Sequence, residues 1–305
     1  MVKIFEYSDI LSETVTETVT VNEAVTVNET KTDLMKQLHD YGFILVRGVP
    51  GIVEAIHRFR ESAKEFIGLE NTDKTKCTPE NYFSYGWSYG EEIFNGQRDS
   101  FKGSYYADLP ENDQNVWPDF ETPVFDPHKF KTNYLNLGLL VSETGKKILA
   151  SIGYGLSDYQ IKMRMLHYGA VTTDNDDASP NWCGLHRDHG QFTGLIPDLY
   201  LKNGVETNKV PNSGLYIRDE AVTIPEDCIA FQVGETLELI SNGEVCATEH
   251  YVRKAYGYDR LTFATFITPL DHYVIDSTNT SNDRYRPGIT FKEFGDASYA
   301  KYYKK

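Results

Sequence analysis

Apolar positions recur at helical spacing in the first half of the chain and in short strand-like runs in the second. Residues 14–30, TVTETVTVNEAVTVNET, alternate with period two, Val or Glu holding every odd position from Val15 to Val27; this predicts a surface strand or a mobile segment. Thr32 and Asp33 offer an N-cap for a helix to about Tyr41, Gly42 stops it, and the apolar run Phe43 to Val46 reads as a strand. A second helix is expected from about Ile52 to Phe66 after the Pro50-Gly51 turn, and a third from about Leu135 to Ile152. Residues 77–130, rich in Gly, Pro, Tyr and Asn, predict long irregular connections. From Lys162 onward, short runs between turn residues give the pattern of an antiparallel sandwich or barrel. The expected organisation is a helical and irregular region 1–153, a β core over 154–275, and a tail 276–305. The tail's Tyr-rich stretch from Tyr285 to Tyr303 predicts a packed C-terminal helix or, alternatively, a lid over a site.

Composition narrows the class. With 305 residues, 40% hydrophobic and 25% charged, the chain can bury a sizeable core. Its net charge of −15 disfavours nucleic acid and anionic membranes as partners. No apolar run approaches the ~20 residues of a membrane span, and no basic-then-apolar leader follows Met1. Cys77, Cys183, Cys228 and Cys246 are widely scattered, as expected of a reduced cytoplasmic protein.

Candidate chemistry lies in the β region. Gly184-Leu185-His186-Arg187-Asp188-His189-Gly190 places a His and an Asp two residues apart, so that on a strand both leave the same face. His250 follows in Thr248-Glu249-His250-Tyr251-Val252, and Arg260-Leu261-Thr262 comes ten residues later. Two imidazoles and a carboxylate can occupy one face of an octahedral ion and leave three positions open, as non-haem Fe(II) oxygenases require. Two of those positions suit a bidentate 2-oxo acid and the third O₂. An Arg beyond the metal offers a planar fork to the distal carboxylate of such a co-substrate, and a hydroxyl two residues on adds a hydrogen bond; Arg260 and Thr262 fit these parts.

Several segments resemble, in order, the isopenicillin N synthase-like branch of the 2-oxoglutarate/Fe(II)-dependent dioxygenases. Met163-Arg164-Met165-Leu166-His167-Tyr168 resembles the strand whose Tyr helps hold the co-substrate, and His186-x-Asp188-x-Gly190 with Thr193 resembles the metal motif. Gly214-Leu215-Tyr216-Ile217, Gly234-Glu235-Thr236-Leu237 and Ser241-Asn242-Gly243 resemble the segments ahead of the distal His, and Arg260-x-Thr262 resembles the R-x-S motif. The likeness covers roughly residues 160–270, with weaker echoes in Asp40-Tyr41-Gly42-Phe43 and Asp99-Ser100-Phe101-Lys102. The chain departs from the pattern at Thr262, where Ser is usual, at Gly169, where Pro is usual, and at Leu166, where Asn is usual. The resemblance implies a double-stranded β-helix, a cupin-like jelly roll with flanking helices. It also implies an Fe(II) site of His186, Asp188 and His250, and 2-oxoglutarate held by Arg260, Thr262 and Tyr168. The expected reaction is O₂-dependent hydroxylation, desaturation or cyclisation of a small organic substrate with release of succinate and CO₂. The alternatives are an iron oxidase that does not use 2-oxoglutarate and a non-catalytic binding module.

Strand parity extends the reading. If Tyr168 faces inward so do Leu166 and Arg164, and if Arg260 and Thr262 do, so do Ala264, Phe266 and Thr268. An inward Arg164 needs an anionic partner, either a protein carboxylate or a carboxylate of the substrate, with Phe266 and Thr268 beside it as candidate substrate contacts. His189 is expected on the face opposite Asp188, behind the metal or at the surface. Asp174, Asp176 and Asp177 read as a solvated acidic loop, and Cys183 as an inert small residue.

Overall fold

One stripe of helix Ile52–Ile67, made by Ile52, Ile56, Phe59, Ala63 and Phe66 at spacings of four and three, is buried. It packs against helix Pro127–Ser151, which lies across the main sheet. Phe59 meets Phe263 of the sheet with ring centroids 4.8 Å apart, and Phe66 stacks on Phe130 at 4.9 Å. Tyr134 adds a polar link inside this core: its hydroxyl donates to the Tyr105 carbonyl at 2.5 Å and accepts from the Met165 amide at 3.0 Å. In this computed structural model residues 2–12, 21–81, 83–94, 96–172 and 179–302 are described.

Among them two sheets face each other as a double-stranded β-helix. The ten-stranded sheet runs in the order Ile4–Glu6, Phe43–Arg47, Cys228–Val233, Phe192–Leu195, Asp259–Thr268, Gln160–Tyr168, Lys102–Leu109, Gly86–Tyr89, with Leu199–Lys202 and Val205–Thr207 branching from the Asp259–Thr268 strand. The four-stranded sheet runs Glu220–Ala221, Gly214–Ile217, His250–Arg253, Asn181–His186. The ten-stranded sheet thus takes strands from both sides of Gly153. No described helix is long and apolar enough to cross a membrane.

Three expectations need correction. Residues 21–30 are helical, part of helix Val21–Tyr41, while 13–20 lie outside the described residues. A period-two pattern makes a strand only where a neighbour accepts its ladder, and no described strand pairs with this stretch. Asp33 accordingly sits within the helix, its carboxylate accepting from Lys3 Nζ at 2.8 Å. The third long helix starts at Pro127, with the Asp126 side chain accepting from the His128 and Lys129 amides; Asp-Pro is a cap signal that the apolar spacing does not carry. The region 77–130 contains the eight-residue strand Lys102–Leu109, whose residues 102–107 are all buried and so show no alternation.

Helix Pro127–Ser151 lies close to the sheet at Gly145, where a Cβ would stand 2.3 Å from Ile267 Cδ1 and 2.8 Å from Phe231 Cε1. Gly145→Val should lower stability by roughly 1–3 kcal/mol, read from the urea midpoint. An unchanged midpoint would mean that the helix does not bear on the sheet there.

Candidate active site

His186 ends the strand Asn181–His186 and is the direct cross-strand partner of His250, the first residue of His250–Arg253. The two rings lie 4.2 Å apart between centroids. Each imidazole is oriented in the same way: Nδ1 of His186 donates to the Gly184 carbonyl at 2.8 Å, and Nδ1 of His250 to the Thr248 carbonyl at 3.0 Å. A carbonyl only accepts, so both Nδ1 atoms carry the proton and both Nε2 atoms keep a lone pair for a cation. Asp188 lies in the turn beyond the strand, with Oδ1 at 3.7 Å from His186 Nε2. One donor atom from each of the three residues falls within 4.8 Å of the others, which suits a single divalent ion.

The other oxygen of Asp188 is occupied. Oδ2 accepts from Thr193 Oγ1 and from Gln232 Nε2, both at 2.6 Å, and the Gln232 amide also lies 3.2 Å from His250 Nε2. Thr193 and Gln232 are cross-strand partners in the ten-stranded sheet. That sheet therefore holds the carboxylate whose neighbouring imidazoles stand on the four-stranded sheet, and it leaves Oδ1 available to a cation. The turn is closed from behind by the amides of Glu235 and Thr236, which donate to the Asp188 and Gly190 carbonyls. At Gly234 the chains touch so closely that a Cβ would stand 2.1 Å from the Gly190 carbonyl oxygen. Burial and the facing His250 pull the His186 pKa down to about 3, so the ring is neutral and ready to ligate. Burial pushes the Asp188 carboxyl up, but the two imidazoles and the two donors outweigh it and hold it below its ordinary value.

Arg260 and Thr262 share a sheet face with Tyr168 and Leu166, their cross-strand partners. The face continues through Ala264 beside Arg164 and on to Phe266 and Thr268; Leu166, Tyr168, Ala264 and Phe266 pack in one apolar cluster, as the parity requires. The Arg260 guanidinium is buried, lies 5.1 Å from the centroid of the Tyr168 ring, and donates through Nη2 to Asp198 Oδ1 at 2.6 Å. Its Nε and Nη1 are buried with no acceptor, as a site built for an incoming carboxylate would leave them. Thr262 Oγ1 donates to the Ile196 carbonyl at 3.3 Å. A cavity of about 360 Å³ is bordered by Arg260, Thr262, Asp198, Tyr200, Leu195 and Leu215.

Arg164 meets its anion within the chain. It pairs with Glu92, donates to Ser104 Oγ and lies 4.8 Å from the centroid of the Tyr106 ring. Glu92 also pairs with the buried Lys102 at 2.7 Å; burial pushes the Glu92 carboxyl up, but Arg164 and Lys102 outweigh it and bring it to about 2. The Thr268 hydroxyl donates to the Gln160 carbonyl at 3.1 Å. His189 is held between Phe291 and Tyr299 of helix Phe291–Tyr302, at 5.8 and 5.2 Å between centroids, so the tail packs against the turn that carries Asp188. Cys183 is buried, its thiol pushed up to about 11 by that burial, and the acidic loop lies outside the described residues. Sequence reasoning did not find Gln232, Asp198 or Glu92. Each acts through a contact remote in sequence, and the strand Cys228–Val233 is buried at every position, so no alternation marks Gln232 as facing the site.

Gln232→Leu and Thr193→Val each remove one of the two donors to Asp188 Oδ2. Each should weaken Mn(II) binding roughly 10- to 100-fold in a chelator competition, with the fold retained by circular dichroism. Unchanged affinity in both would show that Asp188 needs no such support.

No family model matches the chain. It is 26% identical over 281 residues to homoarginine-6-hydroxylase 2-ODD-C23.1 of Arabidopsis thaliana, covering 84% of this chain and 81% of the relative. It is 27% identical over 286 residues to mugineic-acid 3-dioxygenase of Hordeum vulgare, covering 84% and 76%. Among solved structures, the dioxygenase for auxin oxidation of rice superposes with a TM-score of 0.70 at 16% identity, covering 99% of this chain and 96% of that one. In sequence over most of its length, in fold and in its His–Asp–His constellation, the chain is similar to 2-oxoglutarate/Fe(II)-dependent dioxygenases.

Proposed function

We propose that the protein oxidises a small organic molecule with Fe(II), 2-oxoglutarate and O₂, releasing succinate and CO₂. The observation that carries this reading is the buried Arg260 guanidinium with two N–H donors lacking an acceptor, on the same face as Tyr168. Unpaired buried donors are costly, and a carboxylate settling on an edge of the guanidinium lowers that cost.

His186, Asp188 and His250 would hold the metal through Nε2, Oδ1 and Nε2, leaving the opposite side for the co-substrate and O₂. When bound, iron with 2-oxoglutarate and O₂ supplies the two-electron oxidation of a substrate C–H bond. The chain's work is orientation. Thr193 and Gln232 hold Asp188 to one coordinating oxygen. Arg260 takes the distal carboxylate with Thr262 and Tyr168 beside it, and Leu195 and Leu215 keep water from the co-substrate's methylene groups. Arg164, Phe266 and Thr268, farther along the same face, form our candidate substrate surface. Arg164 would there present a guanidinium already shared with Glu92. Helix Phe291–Tyr302, packed on His189, would close one side of the site. Four unpaired cysteines support a reducing, cytoplasmic setting.

Succinate formation from 2-oxoglutarate in the presence of Fe(II), with and without candidate substrates, tests the reading. Arg260→Lys cannot offer two parallel donors and should raise the KM for 2-oxoglutarate roughly 10- to 100-fold with metal content unchanged. An unaltered KM would overturn the assignment of Arg260 to the co-substrate.

A further inference from the structure

The guanidinium that awaits a carboxylate already has one. Asp198 Oδ1 accepts from Arg260 Nη2 at 2.6 Å, and Asp198 Oδ2 accepts from the Tyr200 hydroxyl at 3.4 Å, which in turn accepts from Ser213 Oγ at 3.1 Å. Tyr200 is the cross-strand partner of Arg260, so the carboxylate is fixed from the same ladder that carries the guanidinium. The side chains of Arg260 and Asp198 are 5% and 16% exposed, so water screens their interaction little. Two further cations border the cavity and both are engaged, Lys209 by the Val222 carbonyl and the Thr223 hydroxyl and Arg60 by Glu226 and the Pro197 carbonyl.

Two consequences follow from one charge. With no ligand present, a buried guanidinium without a counter-ion would destabilise the fold, and Asp198 removes that cost. With a ligand present, the same charge lies next to the place where a second carboxylate must settle on the guanidinium, and like charges at that range repel.

We infer that Asp198 is a positioning residue that acts through Arg260. It holds the guanidinium in place at the edge of the cavity, and it sets the affinity for a dicarboxylate 2-oxo acid below what Arg260 alone would give. The inference rests on the reading of Arg260 as the anchor for the distal carboxylate.

Asp198→Asn keeps the shape and an oxygen acceptor for Nη2 and removes the charge. The Mn(II)-loaded protein is titrated calorimetrically with 2-oxoglutarate and with 2-oxovalerate, which has a methyl in place of the distal carboxylate. The variant should bind 2-oxoglutarate roughly tenfold more tightly than the unaltered protein and 2-oxovalerate equally well. Its melting temperature without ligand should fall while the rise given by 2-oxoglutarate should grow. Unchanged or weaker 2-oxoglutarate binding, or an equal gain for 2-oxovalerate, would overturn the inference. If Asp198→Asn does not fold, Asp198→Ser removes the same charge and is held to the same outcomes. An unaltered protein that does not bind 2-oxoglutarate would overturn the reading of Arg260 itself, and this inference with it.

Discussion

The site depends on one carboxylate oxygen. Asp188 Oδ2 is taken by Thr193 and Gln232 of the ten-stranded sheet, while the imidazoles that would share a cation with Oδ1 stand side by side on the four-stranded sheet. The relative placement of the two sheets is therefore read out as the distance between Asp188 and the His186–His250 pair. Packing elsewhere serves that placement. Helices Ile52–Ile67 and Pro127–Ser151 brace the ten-stranded sheet from outside, and the Gly234–Gly190 contact draws the Asp188 turn against the strand that supplies Gln232. A jelly roll built in this way keeps three ligand atoms together without needing the ion to fold, because its stability comes from the apolar core.

Buried charge is the second constraint. Arg260 with Asp198, and Arg164 with Glu92 and Lys102, are taken out of water at the same face of the sheet, and each guanidinium has a protein carboxylate. The two differ in what is left over. Glu92 is shared by Arg164 and Lys102, a closed arrangement that pins the segment around Glu92 to the sheet. Arg260 retains two nitrogens without an acceptor, and our proposal that it receives a ligand carboxylate rests on that residual need.

What the chain reveals in advance divides along the same line. The triad was legible because a His and an Asp two apart, a distant His and an Arg with a hydroxyl two further on are short-range patterns, and the inward set from Arg260 to Phe266 followed from strand parity alone. Asp198, Gln232 and Glu92 were not legible. They meet Arg260, Asp188 and Arg164 across 62, 44 and 72 residues of sequence, and nothing local to an Asp or a Gln says which strand will lie opposite. The Thr–Val alternation misled for the complementary reason: it describes what the segment can pair with, and in residues 21–30 no strand is there to pair.

The most direct test of the account is the metal stoichiometry of the purified protein and of His186→Ala, Asp188→Ala and His250→Ala after loading with Fe(II) under anaerobic conditions. The account predicts one iron per chain in the unaltered protein and loss of most of it in each variant, with near-native circular dichroism throughout. Iron content close to that of the unaltered protein in all three variants would contradict it.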